Sequence, residues 1–234
     1  MSHLHIPDGV LPPQLWIAGL VLAFLALLVA VHVTRGAGPQ QIAYQSALGG
    51  IMLAVMAIPV PITAFDYCMT LAGPVGVLLG GGAAFQVSVV VTLILALMGQ
   101  GGFTVIGLNA LVLGAGAALA RPVYRRAVAS GRAPAAAMAI ATAVSQLFSS
   151  ALWVLVLWAS VRLAPDAARN QAVSEGLRVL AGGAVALVVA PLLLAAVAIE
   201  SMLGFGLARF LARVRPDLLP GDTAPPRGSA GSHA

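Results

Sequence analysis

Lysine is absent from this chain, and all twelve basic residues are arginine. A Gly-x-x-x-x-Gly-Lys-[Ser/Thr] nucleotide loop therefore cannot be assembled from it. Cys68 is the single cysteine, which excludes an internal disulfide. Charge is scarce as well: 8% of the 234 residues are charged, against about 25% in an average soluble domain. A water-facing enzyme with so few polar groups could not cover its surface. Aromatics make up only 6% and form no basic–aromatic face, so a pI near 10.7 does not imply nucleic acid. There is no His-Glu-x-x-His, no Ser/His/Asp set and no pair of intramembrane carboxylates, which argues against an enzyme. What the chain does have is apolar material. Its residues are 60% hydrophobic, and its mean hydropathy is +1.01. Disorder is excluded, and the composition fits an all-α, polytopic membrane bundle.

The few charges are unevenly placed. Asp66 is the only charge in the 85 residues between Arg35 and Arg121. Apolar runs predict helices over residues 15–33, 42–58, 69–80, 83–98, 105–121, 135–160 and 177–206. The stretch 69–98 reads as two short helices meeting at Gly80-Gly81-Gly82, since three glycines make a poor helix interior. One helix of 30 residues would be about 45 Å long, well beyond a ~30 Å hydrocarbon core. The N-terminus lacks the basic region of a signal peptide, so the first span is expected to stay. Seven spans with the N-terminus outside and the C-terminus inside place nine arginines in cytoplasmic segments and three (Arg162, Arg169, Arg178) outside. Six spans would blur this bias, so the positive-inside rule favours seven. The expected organisation is an outer N-terminal loop at 1–14, a transmembrane domain at 15–208 and a cytoplasmic tail at 209–234. That tail is rich in Pro, Gly and Ser from Pro216 onward and is expected to be disordered.

This topology gathers three unusual segments on the outer face. They are the N-terminus with His3 and His5, the loop 59–70 with Asp66 and Cys68, and the turn from Gly99 through Gln100 to Thr104. Imidazole, thiolate and a terminal amine are nitrogen and sulfur donors suited to late first-row divalent metals. An amine followed closely by a histidine closes small planar chelate rings, and Met1-Ser2-His3 has that spacing. The ordinary readings are a solvated tail for the histidines, a small buried hydrophobe for Cys68 and a wet headgroup position for Asp66. Glu200 is the only acid within a predicted helix, and it is expected toward the cytoplasmic end.

His5-Ile6-Pro7-Asp8-Gly9 followed by Val10-Leu11-Pro12 resembles the N-terminal signature of the substrate-capture membrane subunit of cobalt/nickel energy-coupling factor transporters, the CbiM/NikM family. Pro59-Val60-Pro61 through Asp66-Tyr67 to Gly73 is similar to the family's loop. Gly101-Gly102-Phe103-Thr104 with Gly107 and Asn109 is similar to its glycine segment. The resemblance covers roughly residues 3–126. It implies a seven-helix multi-pass protein of the inner (cytoplasmic) membrane, with an N-terminal loop dipping into the bundle to hold the ion. A coupling membrane subunit and cytoplasmic ATPases would complete an ABC-type importer tied to cobalamin biosynthesis. The transported cobalt or nickel would be substrate, with no organic cofactor, and ATP hydrolysis would fall to the partner. Two departures stand out. Family members place the motif histidine second in the chain, whereas here His5 follows Met1-Ser2-His3-Leu4. The loop's ligand histidine is replaced by Cys68. The ligand set expected by this reading is the amine of Met1, His3, His5 and Cys68, supported by Asp66, Gln100 and Asn109. The alternative is a fold-retaining membrane scaffold or assembly subunit, or a transporter with an altered cargo, a metal or not.

Overall fold

The computed structural model describes residues 11–58, 60–62, 65–163 and 183–221. Seven α-helices lie among them: α1 (Pro13–Val33), α2 (Pro39–Met56), α3 (Ala72–Leu79), α4 (Gly81–Leu97), α5 (Ile106–Ala129), α6 (Pro134–Leu163) and α7 (Gly183–Val214). They match the seven helices expected from the sequence. Proline stands at the first position of α1, α2 and α6, where its missing N–H has no intrahelical partner to lose. A short hairpin of β1 (Val60–Ile62) and β2 (Phe65–Tyr67) is an addition that the sequence did not announce.

Two helices run past the ends that the apolar runs predict. α5 continues through Pro122 to Ala129, eight residues past the predicted end. A membrane helix tolerates an internal proline when neighbours satisfy the freed carbonyl. α7 runs on to Val214, and Pro216–Leu218 adds a 3₁₀ turn. Leu219 follows it into the core at 3% exposure, so ordered chain extends beyond the break placed at residue 208.

The bundle has two distinct ends. At one, the close of α1, the starts of α2 and α4, and Arg121 of α5 converge. Gln45 donates to Gln86 Oε1 at 3.0 Å, and Gln86 donates to Thr34 Oγ1 at 2.6 Å. Most of the described arginines lie at this end. At the other, Leu11 packs against Val105 and Leu108, and Gln100 donates to the carbonyl of Ala57 at 3.1 Å. Among the described residues, four helices are long and apolar enough to cross a membrane: α1, α5, α6 from Pro134 to Ser160, and α7 from Ala190 to Val214.

α3 is the short helix expected before Gly80. Its eight residues extend only ~12 Å at ~1.5 Å per residue, less than half a ~30 Å hydrocarbon core. An isolated helix this short would not form in water. Here all eight residues are buried, so packing rather than propensity holds it.

The break between α3 and α4 falls at Gly80, as the glycine run suggested. Gly80 has φ 84° and ψ 167°, and it serves both helices: its N–H reaches Gly76 O, and its carbonyl accepts from Ala84 N–H, both at 2.9 Å. The chain thus turns without stranding backbone groups away from water. Arg121 donates to Leu79 O at 3.3 Å, setting a cation at the negative end of α3. A Cβ at Gly80 would run into the Arg121 guanidinium. Gly80→Ala is therefore expected to destabilise the protein by about 1–3 kcal/mol, the usual cost of a side chain in this backbone region. Thermal unfolding in detergent checks it, and an unchanged midpoint would refute it.

Candidate functional site

The segment between α2 and α3 carries the chemistry that the sequence singled out. It leaves α2 at Ala57, whose carbonyl is held by Gln100. Gln100 is itself anchored, its N–H reaching Leu95 O at 2.8 Å. Gln100 therefore braces the root of the loop. The chain then forms the antiparallel hairpin, with Val60 opposite Tyr67, Pro61 opposite Asp66 and Ile62 opposite Phe65. Asp66 thus sits in the middle of β2. Cys68 follows directly as the strand ends and is half-buried. Asn109 lies in the first turn of α5, buried at 4% exposure. Met1, His3 and His5 lie outside the described residues. His32 is exposed on the last turn of α1, at the arginine-rich end and away from the loop.

Two residues past Cys68 the loop meets a feature that sequence reading had placed elsewhere. Thr70, 1% exposed, donates its backbone N–H to Glu200 Oε1 at 2.9 Å. Its hydroxyl is 3.0 Å from Glu200 Oε2 and 3.3 Å from Gln146 Oε1. A hydroxyl has one proton, and Glu200 Oε2 is the nearer acceptor. The hydroxyl oxygen in turn accepts from the N–H of Ala72 at 3.3 Å, the first residue of α3. Leu71 between them has φ 52° and is the only described non-glycine residue with positive φ. Such a conformation costs about 1–3 kcal/mol and persists where its surroundings over-determine it. The bonds on either side of Leu71 supply that constraint.

Glu200 is not toward the end of its helix. It lies 17 residues from the start of α7 and 14 from its close, and is 1% exposed. An ionisable group in mid-span is a functional hypothesis by default. The sequence held this signal but could not name a partner 130 residues away. Gln146 belongs to a buried polar stripe on α6 with Thr142, Ser145 and Ser149, spaced to share one helix face. Ser149 donates to Val112 O at 2.9 Å, which sets the level of this stripe against α5. Leu11 packs one to two turns nearer the α5 N-terminus, so the Thr70 level is roughly 10 Å deeper in the bundle. Among the described residues, no three His, Cys, Asp or Glu side chains gather closely enough to hold an ion. The described part of the loop brings Cys68 near the Thr70–Glu200 contact and leaves any nitrogen donors to come from elsewhere.

The family model described as the cobalt uptake substrate-specific transmembrane region, CbiM, matches residues 5–218. The chain belongs to this family. Two solved structures support the fold. A truncated transition metal transporter aligns with TM-score 0.68 at 16% identity, over 89% of this chain and 98% of that one. A transition metal transporter aligns with TM-score 0.69 at 16% identity, over 90% and 93%. No curated protein matches the chain. Membership of the CbiM family makes this a metal-uptake membrane component, a transport protein rather than an enzyme.

Proposed function

We propose that this CbiM-family chain captures cobalt or nickel at the outer face for an ATP-driven importer of the energy-coupling factor type, with its N-terminus outside. The observation that supports this is the segment after α2: Gln100 holds the Ala57 carbonyl, the hairpin follows, and Cys68 stands two residues before Thr70, which buried Glu200 holds. Cys68 supplies a thiolate. The amine of Met1, His3 and His5 supply nitrogen donors from the segment before Leu11. Five residues intervene between His5 and Leu11, a reach of at most roughly 20 Å from Leu11 at full extension. Thiolate and imidazole together suit cobalt and nickel, which the order of divalent affinities favours over manganese. Asp66 adds negative field at the mouth and favours cations. Gln100 and Asn109 support the loop, as outer-shell groups do at metal sites. Arg121, Arg125, Arg126 and Arg132 face the cytoplasm, where a coupling membrane subunit and ATPases of the inner membrane would act.

Metal analysis of the purified protein, combined with the intact mass of its N-terminus, tests this reading. Bound cobalt or nickel is expected, and the mass tells whether the amine belongs to Met1 or Ser2. Calorimetry on a His3/His5/Cys68 triple alanine variant should show the binding lost. Equally weak binding by wild type and triple variant would reject capture and favour a scaffold that kept the fold.

A further inference from the structure

Glu200 has no role in any of the ligand sets above, yet it is the most deeply placed acid described. Its carboxylate receives the Thr70 N–H at 2.9 Å and faces the Thr70 hydroxyl at 3.0 Å. Thr70 is two residues from Cys68 and one from Leu71, the left-handed turn. The same Thr70 hydroxyl oxygen accepts the Ala72 N–H that opens α3. α7 therefore grips the loop where its direction is decided.

We infer that Glu200 is the positioning residue of the metal site, acting through Thr70 to fix where the Cys68 sulfur lies. The inference rests on Cys68 being a ligand. Three features of the geometry carry it. The contact is buried, with Thr70 and Glu200 each 1% exposed, so water does not compete for it. It is charge-assisted when the carboxylate is ionised, and such bonds are about twice as strong as neutral ones. It also falls at the N-terminus of α3, where the positive end of the helix favours an anion. Thr70 contributes no donor to the ion. Its part is to be held, as a second-shell group holds a ligand's direction. Gln146, 3.3 Å from the Thr70 hydroxyl, closes the cluster from α6. The loop is thereby fixed to α7, which packs against α6, and a shift of α7 would be felt at Cys68.

The test is cobalt titration of the full-length protein in detergent, followed by near-ultraviolet absorption. A thiolate bound to Co(II) gives a sulfur-to-metal charge-transfer band that a purely structural change elsewhere would leave alone. Glu200→Gln keeps shape and removes the charge. Thr70→Val removes the hydroxyl, and Thr70→Ser retains it. Glu200→Gln and Thr70→Val are each expected to weaken cobalt binding by about 10–100-fold, the range for outer-shell partners, and to shift or diminish the band at saturation. Thr70→Ser should restore both. If Glu200→Gln does not fold, the Val/Ser pair at Thr70 decides. Wild-type affinity and an unchanged band in Glu200→Gln and Thr70→Val would overturn the inference while leaving Cys68 as a ligand. A wild-type protein that binds cobalt with no such band would remove Cys68 from the ligand set and take the inference with it.

Discussion

Gly76→Ala is expected to leave little correctly folded protein. Gly76 sits in the middle of α3, and its α-carbon faces the backbone of α5 at Ala117. A Cβ placed there would overlap the Ala117 carbonyl oxygen and lie 2.7 Å from its carbonyl carbon. Those atoms are part of a helix ladder and cannot swing aside as a side chain can. Overpacking a core usually costs about 1–3 kcal/mol, and an immovable backbone neighbour puts this case at or above the upper end. α3 has no compensating reserve, since eight residues form a helix here only through burial. Displacing it would also pull Thr70 from Glu200 and Leu79 from Arg121. Gly206→Ala is the matching control, because nothing lies within 4 Å of a Cβ at that α7 position. It should be neutral or stabilise by up to ~1 kcal/mol through helix propensity. Monodisperse yield and thermal midpoint in detergent check both variants. Gly76→Ala melting together with wild type would show that α3 can move away from α5.

The architecture was legible because membrane helices declare themselves by apolar length, and because Pro39, Pro134 and Gly80 mark ends by local chemistry. The glycine run at Gly80 predicted a break, and the structure has one. Depth was less legible. Residues 69–80 are apolar apart from Thr70, so composition could not show that the helix among them would be only eight residues long and wholly buried. The apolar runs predicted ends at residues 121 and 206, yet α5 continues to Ala129 and α7 to Val214. Of the site, the loop and its donor residues were legible from residue type, whereas the Gln100–Ala57 contact joins positions 43 apart and is set by how the helices pack. The Thr70–Glu200 contact was not legible either, because it joins a residue just before a short helix to the middle of a helix 130 positions later. An acid in an apolar helix was visible in the sequence, but its partner is set by how α3 packs among α5, α6 and α7, which no local pattern encodes.

Cys68→Ala is expected to weaken cobalt or nickel binding by more than about 100-fold. That exceeds the upper end of what loss of an outer-shell partner costs, because here a donor atom itself is removed. The substitution should leave folding almost untouched, since Cys68 is only half-buried and lies outside the helices. Affinity and stability are thereby separated, in contrast to Gly76→Ala, where both would fall together. Cys68→His is the more informative variant. It installs the imidazole that the family resemblance places after Tyr67, at a position whose backbone is already fixed by β2 on one side and Thr70 on the other. It is expected to keep metal binding and to lose the charge-transfer band, since the donor becomes nitrogen. Its preference should also move away from softer ions, because thiolate selects zinc and Cu(I) more strongly than imidazole does. Competition titrations of cobalt and nickel against zinc measure this directly. If Cys68→Ala binds all three metals as wild type does, the thiolate is a bystander. The nitrogen donors before Leu11 would then have to hold the ion without help from this loop.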